Sequence, residues 1–139
     1  MNAPLYTLDV LRLAASLPGP AKLERVDGSA SKRSPTCGST VATQVQVSGG
    51  RVEALSQLVH ACAFGQASAA VVALQAPGRS GAEVEAALGQ LAAWLSSDRD
   101  TPPDWGGYGA LAPARNRRSR HGAILLPLRA LAAAMQSVK

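Results

Sequence analysis

The sequence predicts an α+β domain, a small antiparallel sheet of about three strands with helices packed on one face. Three observations carry this reading. Apolar residues recur at helical spacing near the N-terminus, an alternating run with a Gly-Gly turn fills residues 41–59, and alanine- and leucine-rich stretches of helical period fill the second half. Helix, then strands, then helices is the element order of an α+β fold.

The elements follow in order. Leu8, Leu11, Ala14 and Ala15 share a helical face behind Thr7, the N-cap, and the pattern stops at Pro18-Gly19-Pro20. Lys22 to Val26 (KLERV) reads as a strand at the side of the sheet. In Val41 to Val47 (VATQVQV), alternation puts Val41, Thr43, Val45 and Val47 on one face; Ser48-Gly49-Gly50 then turns the chain into Arg51 to Val59, a β-hairpin. Beyond Cys62 the chain is helical to Leu74, Pro77-Gly78 breaks it, and Ser80 opens a helix with Val84, Leu88, Leu91 and Leu95 on its apolar face. Asp98 to Gly109 reads as loop. The last helix is placed near Pro127, a residue tolerated in a first turn, and runs through Leu131 to Met135.

Composition bounds what such a chain does. Its 139 residues suit a single domain, and 47% hydrophobic against 17% charged residues is an ordinary globular balance. With only 4% aromatic residues the core is expected to be aliphatic. Met1 to Val10 has no basic cluster and contains Asp9, and the next apolar runs are broken by Arg12 and Pro18; neither a secretory signal nor a membrane span fits, so the expected location is cytoplasmic. The net charge of +5 is moderate, and Arg115 to Arg120 (RNRRSR) concentrates four cations. No aromatic platform or nucleic-acid motif accompanies them, so the run reads as a solvated loop or a contact for an acidic protein rather than a nucleic-acid site. Gly106-Gly107 with Gly109 is too loose for a phosphate loop.

Chemistry concentrates in two thiols. Two well-separated cysteines make neither a disulfide framework nor a four-ligand zinc finger, and in a reducing compartment they stay free. Cys37 lies in the turn Pro35-Thr36-Cys37-Gly38 leading into the hairpin, and Cys62 lies where the hairpin gives way to a helix. At a helix N-terminus free N–H groups and the macrodipole favour an anion, which lowers a thiol pKa from about 8.5 toward neutrality. Gly38 and Gly65 would let backbone approach a bound ion or cluster closely. The alternative is that each thiol is a small buried hydrophobe.

Pro35-Thr36-Cys37-Gly38, a hairpin turned by Gly-Gly, and Ala61-Cys62-Ala63-Phe64-Gly65-Gln66-Ala67-Ser68-Ala69 together resemble the U-type iron–sulfur cluster assembly scaffold family: IscU, SufU and the N-terminal domain of NifU. The resemblance spans Leu5 to the C-terminus and implies one SufE/NifU-like domain over residues 1–139. Two departures stand out. The family's aspartate after Cys-Gly is Ser39, and its third cysteine, in R-x-x-C, is Ala123 of Arg120-His121-Gly122-Ala123.

What the resemblance implies is a scaffold rather than an enzyme. Such a protein accepts sulfur, or binds iron, zinc or a labile iron–sulfur cluster, through Cys37 and Cys62, with His121 as a third metal ligand and Gly38, Ser39 and Gly65 lining the site. Its partners would be a cysteine desulfurase, for which the Arg115 to Arg120 run is a docking surface, and recipient apoproteins. Two other readings stay open: a sulfur transferase with Cys62 as nucleophile and His60 or His121 as base, and a degenerate interaction or regulatory module without metal.

Overall fold

The alternating run forms the middle strand of the sheet. In the computed structural model, which describes residues 6–35 and 37–139, β1 (Gly28–Arg33), β2 (Thr40–Ser48) and β3 (Arg51–His60) make an antiparallel sheet in the order β1-β2-β3. Leu5, where the family resemblance begins, and Thr36 of the Pro-x-Cys-Gly turn lie outside the described residues. Val41 faces Val59, Thr43 faces Gln57 and Val45 faces Leu55, until a bulge between Gln46 and Val47 shifts the register. Gly49 and Gly50 both adopt positive φ, 61° and 75°, the pair of conformations that a tight hairpin turn demands.

Among the described residues four α-helices accompany the sheet: α1 (Leu8–Ala15), α2 (Ala63–Gln75), α3 (Gly81–Leu95) and α4 (Arg118–Gln136). Thr7 and Ser80 cap α1 and α3 as their sequences predict, each accepting a backbone N–H through its hydroxyl. Helix α2 buries Phe64, Gly65 and Ala67 through Val72, nearly its whole circumference, as a core helix must. It packs against α4, β3 and α1, and Phe64 stacks on Tyr6 with ring centroids 5.3 Å apart. Helix α4 underlies β1 and β2 and contributes Ile124, Leu128 and Leu131 to the core. The core is not purely aliphatic, because Phe64, Trp94, Trp105 and Tyr108 are all buried.

Three sequence expectations are corrected. The first strand is Gly28–Arg33, not Lys22 to Val26. The Lys22–Val26 segment is instead tied to the sheet by polar contacts: Arg25 N–H donates to Gln46 Oε1 (3.3 Å), and the Asp27 carboxylate just after it accepts from Val47 N–H (2.7 Å). The segment GSASKR forms a strand without β-branched residues because β2 zips to it and its small side chains admit α4. Helix α4 begins nine residues before Pro127, at Arg118, and carries the proline in its interior. That proline has no N–H for the Ala123 carbonyl. Finally, residues Tyr108–Asn116, expected as loop at their start, form a 3₁₀ segment that buries Tyr108, Leu111 and Ala114.

Two glycines predict opposite responses to the same substitution. A Cβ at Gly28 would run into the Ala134 carbonyl and the Ser137 and Val138 side chains, whereas a Cβ at Gly89, inside α3, would meet nothing. In urea unfolding, Gly28→Ala is expected to lose about 1–3 kcal/mol by overpacking, and Gly89→Ala to gain about 0.5–1 kcal/mol by helix propensity.

Candidate functional site

Both cysteines sit at one end of the sheet. The β2–β3 ladder ends at Thr40 and His60; Cys37 precedes the first by three residues and Cys62 follows the second by two. The loop before β2 is closed by Ser34 N–H donating to the Ser39 carbonyl (2.8 Å) and Gly38 N–H donating to the Ser34 carbonyl (3.1 Å). Gly38 has φ +71°, and the space beside it is open, so the loop needs glycine there for its conformation and leaves Cys37 accessible. Cys62 is the N-cap residue of α2, half-buried, and its side chain makes no capping hydrogen bond.

Cys37 is exposed, yet two buried serines serve it. Its Sγ lies 3.0 Å from Ser39 Oγ, and Ser34 and Ser39 are only 1% and 6% exposed. The Ser34 hydroxyl, then the Ser39 hydroxyl, hold the thiol below its usual pKa; partial burial opposes them, and the Ser39 N–H and the Arg120 charge add to the lowering. Hydroxyls that donate to sulfur stabilise the anion, the form that attacks sulfur or binds soft metals. The loop therefore favours the thiolate form of Cys37. Neither Ser34 nor Arg120 stood out as a thiol partner in the sequence. The hydroxyl three residues before Cys37 and the arginine of R-x-x-A were the signals available.

Helix α4 supplies the other wall. Arg120 and Ala123 lie on one face of its first turns, with Arg120 acting on Cys37 and Ala123 packed at Gly65, three residues into α2 from Cys62. A Cβ at Gly65 would lie 2.6 Å from Ala61 Cβ and 3.5 Å from Ala123 Cβ. Gly65 thus makes room for the Ala61 side chain at the start of α2, with Ala123 of α4 at ordinary contact distance, and the room its missing side chain leaves is filled by protein. Ser68 Oγ seals the same contact by donating to the Ile124 carbonyl at 2.6 Å.

The structure does not bring His121 to the thiols. At 100° per residue it projects from roughly the opposite side of α4 to Ala123. Its Nε2 lies 2.9 Å from the Ala114 carbonyl and 3.1 Å from the Arg115 carbonyl, which requires that nitrogen to carry the proton. No hydrogen bond joins either histidine to a thiol, and no three His, Cys, Asp or Glu side chains come together as a metal site among the described residues. With Ser39 committed to Cys37 and a methyl group at Ala123, the chain offers two thiolates where zinc or a [2Fe–2S] cluster takes four ligands. This donor set does not fit a complete metal site.

The basic run is not one surface. Arg115 stacks over Trp94, 5.2 Å from the ring centre, and its Nε donates to the Trp94 carbonyl at 2.9 Å, so it is a structural residue. Arg120 is half-buried and its charge acts on Cys37, while Arg117 and Arg118 are exposed. Among the described residues no helix is long and apolar enough to cross a membrane.

The chain thus forms a three-stranded antiparallel meander backed by helices, a fold shared with NifU-like and SufU-type scaffold structures, and carries one thiol in the loop before β2 and another at the start of the next helix. Three solved structures are similar over nearly the whole chain. A NifU-like protein (N-terminal part) from Brucella abortus superimposes with a TM-score of 0.89 at 28% identity, over 96% of this chain and 93% of that one. A protein assigned as the iron–sulfur cluster assembly scaffold of the SUF system in the thermophile Fervidobacterium islandicum AW-1 gives 0.84 at 19% identity, over 94% and 96%. A crystal structure of a hypothetical protein gives 0.80 at 20% identity, over 93% and 97%. The latter two share the fold. No family model and no curated protein matches the sequence.

The serine-held thiol predicts a pH profile. Alkylation of Cys37 by iodoacetamide is expected to reach half its maximal rate at lower pH in the parent protein than in Ser34→Ala or Ser39→Ala, because removing a donor raises the thiol pKa. Equal midpoints in all three folded proteins would deny the serines this role.

Proposed function

We propose that this protein is a scaffold-like sulfur acceptor of the iron–sulfur assembly type, working as one domain, with Cys37 as the accepting thiolate and Cys62 as the second thiol of the same site. The observation that carries the reading is the exposed Cys37 sulfur held by two buried serine hydroxyls beside Arg120. Its likeness to NifU- and SufU-type structures supports the sulfur and cluster context.

The chemistry is a thiol–persulfide exchange. The Cys37 thiolate attacks the terminal sulfur of a persulfide carried by a partner cysteine, such as that of a cysteine desulfurase; a new S–S bond forms on Cys37, the donor's S–S bond breaks, and the donor leaves as a thiolate. No net oxidant is consumed. Arg120 and the Ser34 and Ser39 hydroxyls stabilise negative charge on the attacking sulfur before transfer. Iron, zinc or a labile cluster, as cargo, would be gripped by Cys37 and Cys62 with the remaining ligands supplied from outside the chain.

Incubation with a cysteine desulfurase and L-cysteine, followed by peptide mass spectrometry, checks the assignment. One additional sulfur atom is expected on the Cys37 peptide, absent in Cys37→Ser and retained there in Cys62→Ser. Sulfur on neither peptide contradicts the proposal.

The two departures from the family pattern give a second test. Ser39→Asp combined with Ala123→Cys should raise zinc affinity by more than the roughly tenfold that ~1.4 kcal/mol represents, because two further anionic ligands then join the thiols. His121→Ala, by contrast, should leave zinc affinity unchanged, since that ring faces away from the site. A folded double variant without any gain would show that residues 39 and 123 do not converge on Cys37 and Cys62.

A further inference from the structure

The sheet has an open edge with a groove beneath it. Among the described residues strand β1 pairs only with β2, so its other side is an edge. Ser34 N–H points to β2, donating to the Ser39 carbonyl, and alternation therefore directs the backbone groups of Ser29, Ser31 and Arg33 outward. Ser29 N–H is answered by Ser137 Oγ at 3.0 Å, at the end of α4. The outward groups of Ser31 and Arg33 continue this edge, and Lys32 and Arg33 line a cavity of about 400 Å³ between β1, α3 and α4.

The cavity has the makings of a peptide groove. Buried Leu126 and half-buried Leu88 give it an apolar floor, and exposed Lys32, Arg33 and Arg129 stand around it. None of these three cations takes part in an ion pair among the described residues. Glu85, the acid that lines the cavity, is already engaged by the Gln136 side-chain amide at 2.5 Å. The groove is thus cationic, apolar at its base and bordered by backbone donors and acceptors.

We propose that the β1 edge and this groove dock an extended, acidic segment of a partner protein, which joins the sheet as a fourth strand. Backbone groups of Ser31 and Arg33 supply the pairing, alternate apolar side chains of the segment reach Leu126 and Leu88, and its carboxylates meet Lys32, Arg33 and Arg129. A second copy of this chain is the wrong occupant, because edge-to-edge pairing would set Lys32 and Arg33 against like charges. Arg33 leads directly into the loop that carries Cys37, so a docked strand would be held next to that thiol. The inference stands on the edge and the groove alone, whatever Cys37 accepts.

The test uses the full chain and a short fluorescein-labelled peptide alternating glutamate and valine, with a lysine–valine peptide of equal length as the control. Fluorescence anisotropy should show binding of the glutamate peptide alone. Amide hydrogen exchange should slow at Ser31 and Arg33 in the complex. Arg129→Glu, an exposed helix position, should weaken binding roughly five- to tenfold as an attraction becomes a repulsion. Failure of the glutamate peptide to bind, equal binding of both peptides, binding without slowed exchange at Ser31 and Arg33, or self-association through β1 that the peptide does not displace would each overturn the proposal.

Discussion

The contact on which the site depends is the close approach of α2 and α4 at Gly65 and Ala123. A Cβ at Gly65 would collide with the Ala61 side chain just before α2 while only touching Ala123 of α4 at ordinary contact distance, so glycine there makes room for Ala61 where the two helices meet. The consequence is positional. Where α2 begins, at Cys62, and where the first turns of α4 run, at Arg120, are both fixed by this contact, and the β1–β2 loop with Cys37 closes over the same end. Ser68 donating to the Ile124 carbonyl locks it one turn further on. The thiols are therefore held next to a buried helix contact, although one of them is exposed.

Electrostatics decides what those thiols can do. A carboxylate at position 39 would be a metal ligand, and as an anion beside Cys37 it would push the thiol pKa upward; the serine that stands there donates a hydrogen bond and pulls it down. With serine at 39 and alanine at 123, the chain favours a more acidic Cys37 thiol over further metal ligands. Arg120 in the first turn of α4 works in the same direction. A cation at a helix N-terminus is disfavoured by the macrodipole, and its proximity to a thiolate offsets that cost.

How much of this the sequence disclosed varied with the kind of signal. The hairpin was legible because Val41, Thr43, Val45 and Val47 alternate and Gly49-Gly50 can take positive φ. Strand β1 was not, since Gly28 to Arg33 carries no strand-forming side chains and exists by pairing with β2 and by admitting α4 against Gly28. Helix α4 was read too short because Pro127 resembles a first-turn proline and the charged run before it resembles loop; tertiary packing of Ile124 to Leu128 carries the helix across both. The two cysteines stood out through their glycine- and serine-bearing neighbourhoods. Ser34 and Arg120 did not stand out as their partners, because which donor reaches a sulfur depends on a turn geometry and a helix contact that residue types alone do not encode. His121 misled for the same reason: sequence proximity to Ala123 places it near the site, while helical periodicity turns it away.

The central claim is that Cys37 and Cys62 form a single two-thiol site, and its most direct test is titration of the reduced protein with phenylarsine oxide, whose trivalent arsenic bridges two neighbouring thiols. The account predicts one arsenic bound per chain, resistant to a monothiol competitor and lost in both Cys37→Ser and Cys62→Ser. Weak binding that either single variant retains unchanged, in a protein that remains folded, would contradict a shared site.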